Sequence, residues 1–197
     1  MNAKRCIRCS TGLPSILLVF LTLFVSHVSP ANASDRPITL QVGGGMRIFN
    51  DQLGLKNNVC AGFRMDFEVT DRFSLALDYV FSSPTRSASN AIAHISALRG
   101  LARVNLLGGS TRPYVIAGAG GVLMNFSDAL DAGTGTVTAG VGLSRALGAH
   151  HVVSVEGTED VYASRSQRFD ALGRPTYQSK QTYQPLGTIS ANFGFRF

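Results

Sequence analysis

The stretch Ile189-Ser-Ala-Asn-Phe-Gly-Phe-Arg-Phe197 decides how this chain is read. Ile189, Ala191, Phe193, Phe195 and Phe197 fall on one side of a two-residue repeat, and Ser190, Asn192, Gly194 and Arg196 on the other. Successive side chains of an extended strand point to opposite faces, so this is a strand with one apolar and one polar face. The same split recurs upstream. Phe73, Leu75, Leu77, Tyr79 and Phe81 alternate with Arg72, Ser74, Ala76, Asp78 and Val80. Val59, Ala61, Phe63, Met65 and Phe67 alternate with Cys60, Gly62, Arg64, Asp66 and Glu68. Leu98, Ala102, Val104 and Leu106 oppose Arg99, Arg103 and Asn105, while Val153, Val155 and Val161 oppose Ser154, Glu156, Thr158 and Asp160. No segment sustains a period of 3.6.

Turn residues divide the chain into eight strands with alternately long and short connections. The expected strands are Ile38 to Phe49, Asn58 to Val69, Arg72 to Ser82, His94 to Leu107, Pro113 to Phe126 and Gly135 to Leu147. A seventh runs from His151 onward and an eighth ends at Phe197. Pro113 is expected to open its strand, because proline cannot donate to a ladder. Short turns fall near Asp71, Ser110 and Ala149, and both termini share that end. The longest connection, Ser164 to Gln184, is partly strand, since Tyr177, Ser179, Gln181 and Tyr183 alternate with Gln178, Lys180, Thr182 and Gln184. A strand from Tyr177 to Phe197 would span about 60–70 Å at ~3.3 Å per residue.

Composition agrees with an all-β membrane protein. Only 15% of the 197 residues are charged, 21 are glycine, and the mean hydropathy is +0.14. Past the N-terminal segment there is no run of ~20 apolar residues long enough for a spanning helix. Residues 1–33 read as a signal peptide, leaving 34–197 as the barrel domain. Lys4, Arg5 and Arg8 form a positive start, Ile16 to Val25 an apolar run too short to span, and Ala31-Asn-Ala33 a cleavage site. The pI of about 9.7 owes part of its height to those three residues. The remainder carries 15 basic against 12 acidic residues, which argues against nucleic-acid binding. Cys60 is the one cysteine after Ser34 and makes no internal disulfide.

Eight tilted strands close into a small barrel, and in lipid the polar faces must turn inward. Collected there, Arg47, Arg64, Arg72, Arg99, Arg103 and Arg196 stand against Asp66, Glu68, Asp78, Glu156 and Asp160, a nearly neutral set. Buried charges are tolerated when paired. Facing lipid, each Arg or Lys at the midplane would cost about 2–4 kcal/mol. The expectation is a lumen filled by an ion-pair network.

These features resemble the small eight-stranded outer-membrane barrels of the OmpA/OmpX type over essentially the whole mature chain. The residues that carry the resemblance are the signal peptide, Phe73-Ser-Leu-Ala-Leu-Asp-Tyr-Val-Phe81, Arg112-Pro-Tyr-Val-Ile-Ala-Gly-Ala-Gly-Gly121 and the aromatic C-terminal strand. The resemblance implies that Phe193, Phe195 and Phe197 form the insertion signal read by the barrel-assembly machinery. It implies no peptidoglycan-binding domain, since nothing follows the barrel, and an aromatic girdle drawn from Tyr79, Phe81, Tyr114, Phe126 and Phe197. It also implies extracellular loops that meet outer-membrane lipid, lipopolysaccharide or a host surface. Arg165, Arg168, Arg174 and Lys180, against a single Asp170, are the expected contact residues.

Other motifs carry less. His94-Ile-Ser96 is similar to the His-x-Ser arrangement of barrel-type lipid A deacylases, but no carboxylate follows until Asp128. Gly140-Val-Gly-Leu-Ser-Arg-Ala146 lacks the βαβ unit a dinucleotide fingerprint needs. His150-His151 reads as a turn and Cys60 as an interior thiol without metal-ligand spacing. No catalytic, metal or cofactor site is expected. The reading is a structural or interaction barrel that displays loops and is not a general porin. The alternative is a lipid-modifying enzyme or a narrow channel.

Overall fold

The computed structural model describes residues 37–50, 54–87, 90–126, 132–169 and 175–197, with side chains for all of these except 126, 132, 164–169 and 175–182. The signal-peptide residues, the cleavage site and Ser34 lie outside the described residues, as does Asp128. The elements are β1 (Ile38–Phe49), β2 (Asn58–Glu68), β3 (Phe73–Ser82), β4 (Ala93–Asn105), β5 (Thr111–Phe126), β6 (Ala132–Leu147), β7 (His151–Phe169) and β8 (Pro175–Arg196). Each pairs antiparallel with the next, and β1 pairs with β8, so the sheet closes on itself.

The register fixes the shape. Starting at Ile48, the residues directly opposite in turn are Gly187, Glu159, Ala139, Ala117, Ala102, Leu75 and Phe67. The circuit returns to β1 at Ile38, ten residues from where it began. For eight strands such a stagger requires a tilt of about 35–45° and leaves an interior just wide enough for side chains.

Local chemistry sets the short turns. Between β2 and β3, Phe73 N donates to Thr70 Oγ1 at 3.0 Å and to Thr70 O at 3.2 Å, so the hydroxyl supports the reversal. The other two short turns use Gly109 at φ +105° and Gly148 at φ +81°, backbone that a side chain would strain.

The surface is inside-out relative to a water-soluble barrel. Val42, Leu77, Leu98, Val141, Val155, Ile189 and Phe193 are exposed, whereas Arg47, Arg99 and Asp160 on the inner face are buried. This is the pattern of strands standing in lipid.

Three expectations need correction. Arg72 does not enter the lumen; it is exposed in the β2–β3 turn, because β3 starts one residue later. Pro113 does not open its strand, since β5 begins at Thr111. It is tolerated inside because its carbonyl accepts from Leu106 N at 2.8 Å on the side where β4 has already ended, so its missing donor costs no bond to β6. Tyr114 is not a girdle residue: it is 1% exposed and points into the lumen.

The lipid face yields a direct check. Leu77→Arg, in the middle of the outer band, is expected to destabilise the barrel by about 2–4 kcal/mol, and Leu107→Arg, in the β4–β5 turn, by about 0–1 kcal/mol. Urea unfolding in lipid vesicles measures both, and equal costs would contradict the assigned band.

Candidate functional site

The inner parity of β1, β2, β3, β4 and β7 brings the charged residues into one row along the barrel. Arg64 joins two of its acids. Its Nε donates to Asp78 Oδ1 at 3.0 Å, and its two terminal nitrogens grip Glu156 at 2.5 and 2.7 Å. Arg99 bonds Asp78 from the other side and reaches Asp160 through Nη1 at 2.9 Å. Asp160 also accepts from Thr138 Oγ1 at 2.5 Å and lies 3.5 Å from Arg47 Nη2. The order Arg47, Asp160, Arg99, Asp78, Arg64, Glu156 alternates in sign, and each member is at most 5% exposed. Planar guanidinium forks suit this role, because one Arg can join two carboxylates.

Towards the short-turn end the alternation of ion pairs gives way to a layer in which charged and neutral polar groups mix. The Tyr114 hydroxyl donates to Glu156 at 3.0 Å, and the Arg103 guanidinium stacks 3.8 Å above the Tyr114 ring. Arg103 bonds Asn105 and Ser144 rather than a carboxylate. Asp66 takes its hydrogen bond from Gln41 Nε2. Tyr114 fits because Gly142 stands opposite it: a Cβ there would strike the phenol ring. Glu68 and Arg196 pair at 2.6 Å at the rim, each about a quarter exposed, so they close the mouth and are not part of the buried row. Among the described residues lie small cavities of about 20 Å³ beside Cys60, Arg64 and Thr188, and of about 40 Å³ beside Asp66, Arg103 and Arg196. Each holds a few water-sized particles at most.

At the long-loop end the lumen is apolar. Phe49, Ile95, Val122, Met124, Tyr162 and Leu186 form one buried cluster, completed by Leu55 from the β1–β2 connection. Leu55 is held there because its connection is zipped to the next one. Lys56 N donates to Thr85 O at 2.9 Å, and Ser87 N to Gly54 O at 2.7 Å. The interior is therefore layered, an apolar cap over an ionic row, and the expectation of a wholly ionic lumen is corrected. Ala93, Ile95 and Ala97 share the inner parity of Arg99, and that alignment is the signal in the sequence.

The remaining motif residues fall elsewhere. His94 and Ser96 both face outward; His94 Nδ1 is hydrogen-bonded to Ser83 Oγ at 3.0 Å and its ring stacks on Phe81. His150 donates from Nδ1 to Arg196 O at 3.3 Å, and His151 packs against Phe193 and Phe195. Among the described residues no cluster of three or more His, Cys, Asp or Glu is arranged for a metal. Cys60 is buried and unpaired. The side chains of Arg165, Arg168 and Lys180, and all of Arg174, lie outside the described residues.

A closed eight-stranded barrel with a lipid-compatible outer face and a filled lumen defines the class: the small barrels of the bacterial outer membrane. No family model matches the chain, and no curated protein sequence does. Among solved structures, Neisserial surface protein A is similar with a TM-score of 0.61 and 12% identity, covering 84% of this chain and 99% of that one. A major outer membrane protein from Thermus thermophilus gives 0.55 and 10%, covering 83% and 100%. Ail, the attachment invasion locus protein of Yersinia pestis, gives 0.52 and 13%, covering 82% and 97%. At these identities the likeness is one of fold.

Removing Arg64 from the row tests its coupling. Arg64→Met leaves Asp78 and Glu156 without their shared cation and is expected to cost about 3–5 kcal/mol. Adding Glu156→Gln should recover a large part, because one stranded charge is then removed. Urea unfolding of the two variants measures this, and simple additivity would refute the coupling.

Proposed function

We propose that the barrel is a rigid stand for surface display and that its β7–β8 hairpin meets anionic groups outside the membrane, lipopolysaccharide phosphates first among them. One observation carries this reading. β7 continues seven residues past Tyr162, its last pairing with β6, and β8 begins at Pro175, eleven residues before Leu186, its last pairing with β1. Beyond those points the two strands pair only with each other, giving a ribbon that rises about 20 Å clear of the barrel at ~3.3 Å per residue. The sequence between Tyr162 and Leu186 carries Arg165, Arg168, Arg174 and Lys180 against Asp170, a net charge of +3. Arginine forks match phosphate oxygens in geometry as well as charge.

The direction follows from the fold. The short turns, the start of β1 and the end of β8 share one end, which in small outer-membrane barrels is the periplasmic one, so the ribbon stands outside the cell. A polyanion is also held by a protein of the same fold: Ail has been solved in complex with the heparin analogue sucrose octasulfate, with a TM-score of 0.51 and 13% identity to this chain. The apolar cap and the ionic row, which together fill the lumen, support display rather than transport.

Two measurements test the proposal. Replacing Arg165, Arg168, Arg174 and Lys180 by Gln should leave heat-dependent gel mobility unchanged and weaken lipopolysaccharide binding about tenfold or more, at ~0.2–1 kcal/mol per exposed charge pair. Undiminished binding would remove the ribbon as the contact. Single-channel recording should show no steady conductance, and ohmic pores of porin size would contradict a filled lumen.

A further inference from the structure

We propose that Glu159, on the lipid-facing wall of β7, accepts a hydrogen bond from Tyr79 of a second copy of this chain, joining barrels side by side and head to tail. Glu159 is exposed on the outer parity of β7, between the exposed Val155 and Val161. Directly opposite it stand Ala139 on β6 and Gly187 on β8, with the exposed Val137, Val141 and Ile189 just beyond. The carboxylate therefore rises from within the apolar belt, with aliphatic side chains above and below it. Among the described residues it has no ion pair and no hydrogen bond. A carboxylate in hydrocarbon has lost its water and needs a donor in exchange, so an ionisable group at this depth marks a contact.

The register supplies the donor. Going round the barrel from Glu159, the residues directly opposite in turn are Ala139, Ala117, Ala102 and Leu75. β3 is thus four of eight strands away, on the far side of the barrel. A stagger of ten residues over the whole circuit is five over half of it, which puts Val80, five residues on from Leu75, at the depth of Glu159. Tyr79 is its neighbour and shares the outer parity of Leu77 and Phe81. Among the described residues it is the outward-facing donor nearest this depth, and its hydroxyl makes no hydrogen bond. The two walls also fit in shape. Tyr79 stands on a ridge between Phe63 and Leu98, whereas Glu159 is flanked by Ala139, Gly187 and Gly157, where a Cβ would meet nothing within 4 Å. Small residues let two walls approach closely enough for a hydrogen bond between them. Donor and acceptor lie on opposite sides of each barrel, so every contact leaves a free Tyr79 at one end and a free Glu159 at the other. The assembly grows as an open row and does not close as a pair.

Photochemical cross-linking tests the row. The full chain, with photoreactive p-benzoylphenylalanine in place of Phe81, is folded into phosphatidylcholine vesicles with and without lipopolysaccharide and irradiated. Dimers, trimers and longer products are expected in both, with the label attached to the segments of β7 and β8 that hold Glu159 and Gly187. Tyr79→Phe and Glu159→Val each alter one group on the outer wall and should leave heat-dependent gel mobility unchanged. Each should lower the cross-linked fraction about fivefold, and the double variant should lower it no further. Products that stop at dimers, or labels that map to β3 of the second copy, would overturn the proposal. So would cross-links to lipid alone, a ladder that needs lipopolysaccharide, an unchanged yield in either variant, or losses that add in the double variant.

Discussion

The pairing of β1 with β8 is the interaction on which everything else in this protein depends. In hydrocarbon an unpaired backbone N–H or C=O has no water to turn to, so a sheet in lipid survives only without edges. Closing eight strands with a stagger of ten residues fixes tilt and bore together. The bore is too narrow for a water column and too wide to stay empty. Side chains have to fill it, and since the outer face belongs to lipid, nearly every charge on the strands has to be among them.

That requirement explains the composition of the lumen. A single buried ion pair repays its desolvation poorly, but a row in which each Arg serves two acids spreads the cost over more bonds. Arg64 and Arg99 both work this way, each holding Asp78 and one further acid. The gain is as much in specificity as in stability. A slip of β2 by one residue would turn Arg64 and Asp66 outward at once, so the row penalises wrong registers heavily. The apolar cap adds burial with no such demand and keeps water from the upper row. Its keystone, Leu55, comes from a connection rather than a strand, which couples loop order to the packing of the bore.

Much of this was legible from residue types alone, and what was missed has a common cause. The bounds of β1 could be read to the residue because Ile38–Phe49 begins after Pro37 and ends at Asn50, with alternation between. Inner and outer sets of β2 and β3 followed from polarity, because an Arg or Asp facing lipid is costly; on β7 the rule places Glu156 and Asp160 inside but not Glu159, which is exposed on the outer face. The same rule is silent on apolar residues at inner positions. Tyr114, Ile95, Val122 and Leu186 look as suitable for lipid as for a core, and only strict parity with Arg99 or Glu156 places them. Gly142 is a related case: its meaning lies in the phenol ring across the ladder, which no single strand reveals. Pro113 was misplaced because a proline inside a strand depends on where the neighbouring strand stops.

The two ends of the barrel answer to different constraints. At the short-turn end, Thr70, Gly109 and Gly148 bind the geometry of each reversal to particular residues, and the Glu68–Arg196 pair adds a tie between the first and last hairpins. Changes there disturb closure itself. At the other end β7 and β8 have already satisfied one another's backbone when they leave the barrel, so the ribbon asks nothing of β1 or β6. The pairing that sets the parity of the lumen ends where the two strands leave β6 and β1. In the bore each basic residue has to find buried partners, carboxylates for Arg64 and Arg99, Asn105 and Ser144 for Arg103. Under the proposed display role, this asymmetry makes the ribbon the part of the chain where recognition would change without refolding the stand that carries it.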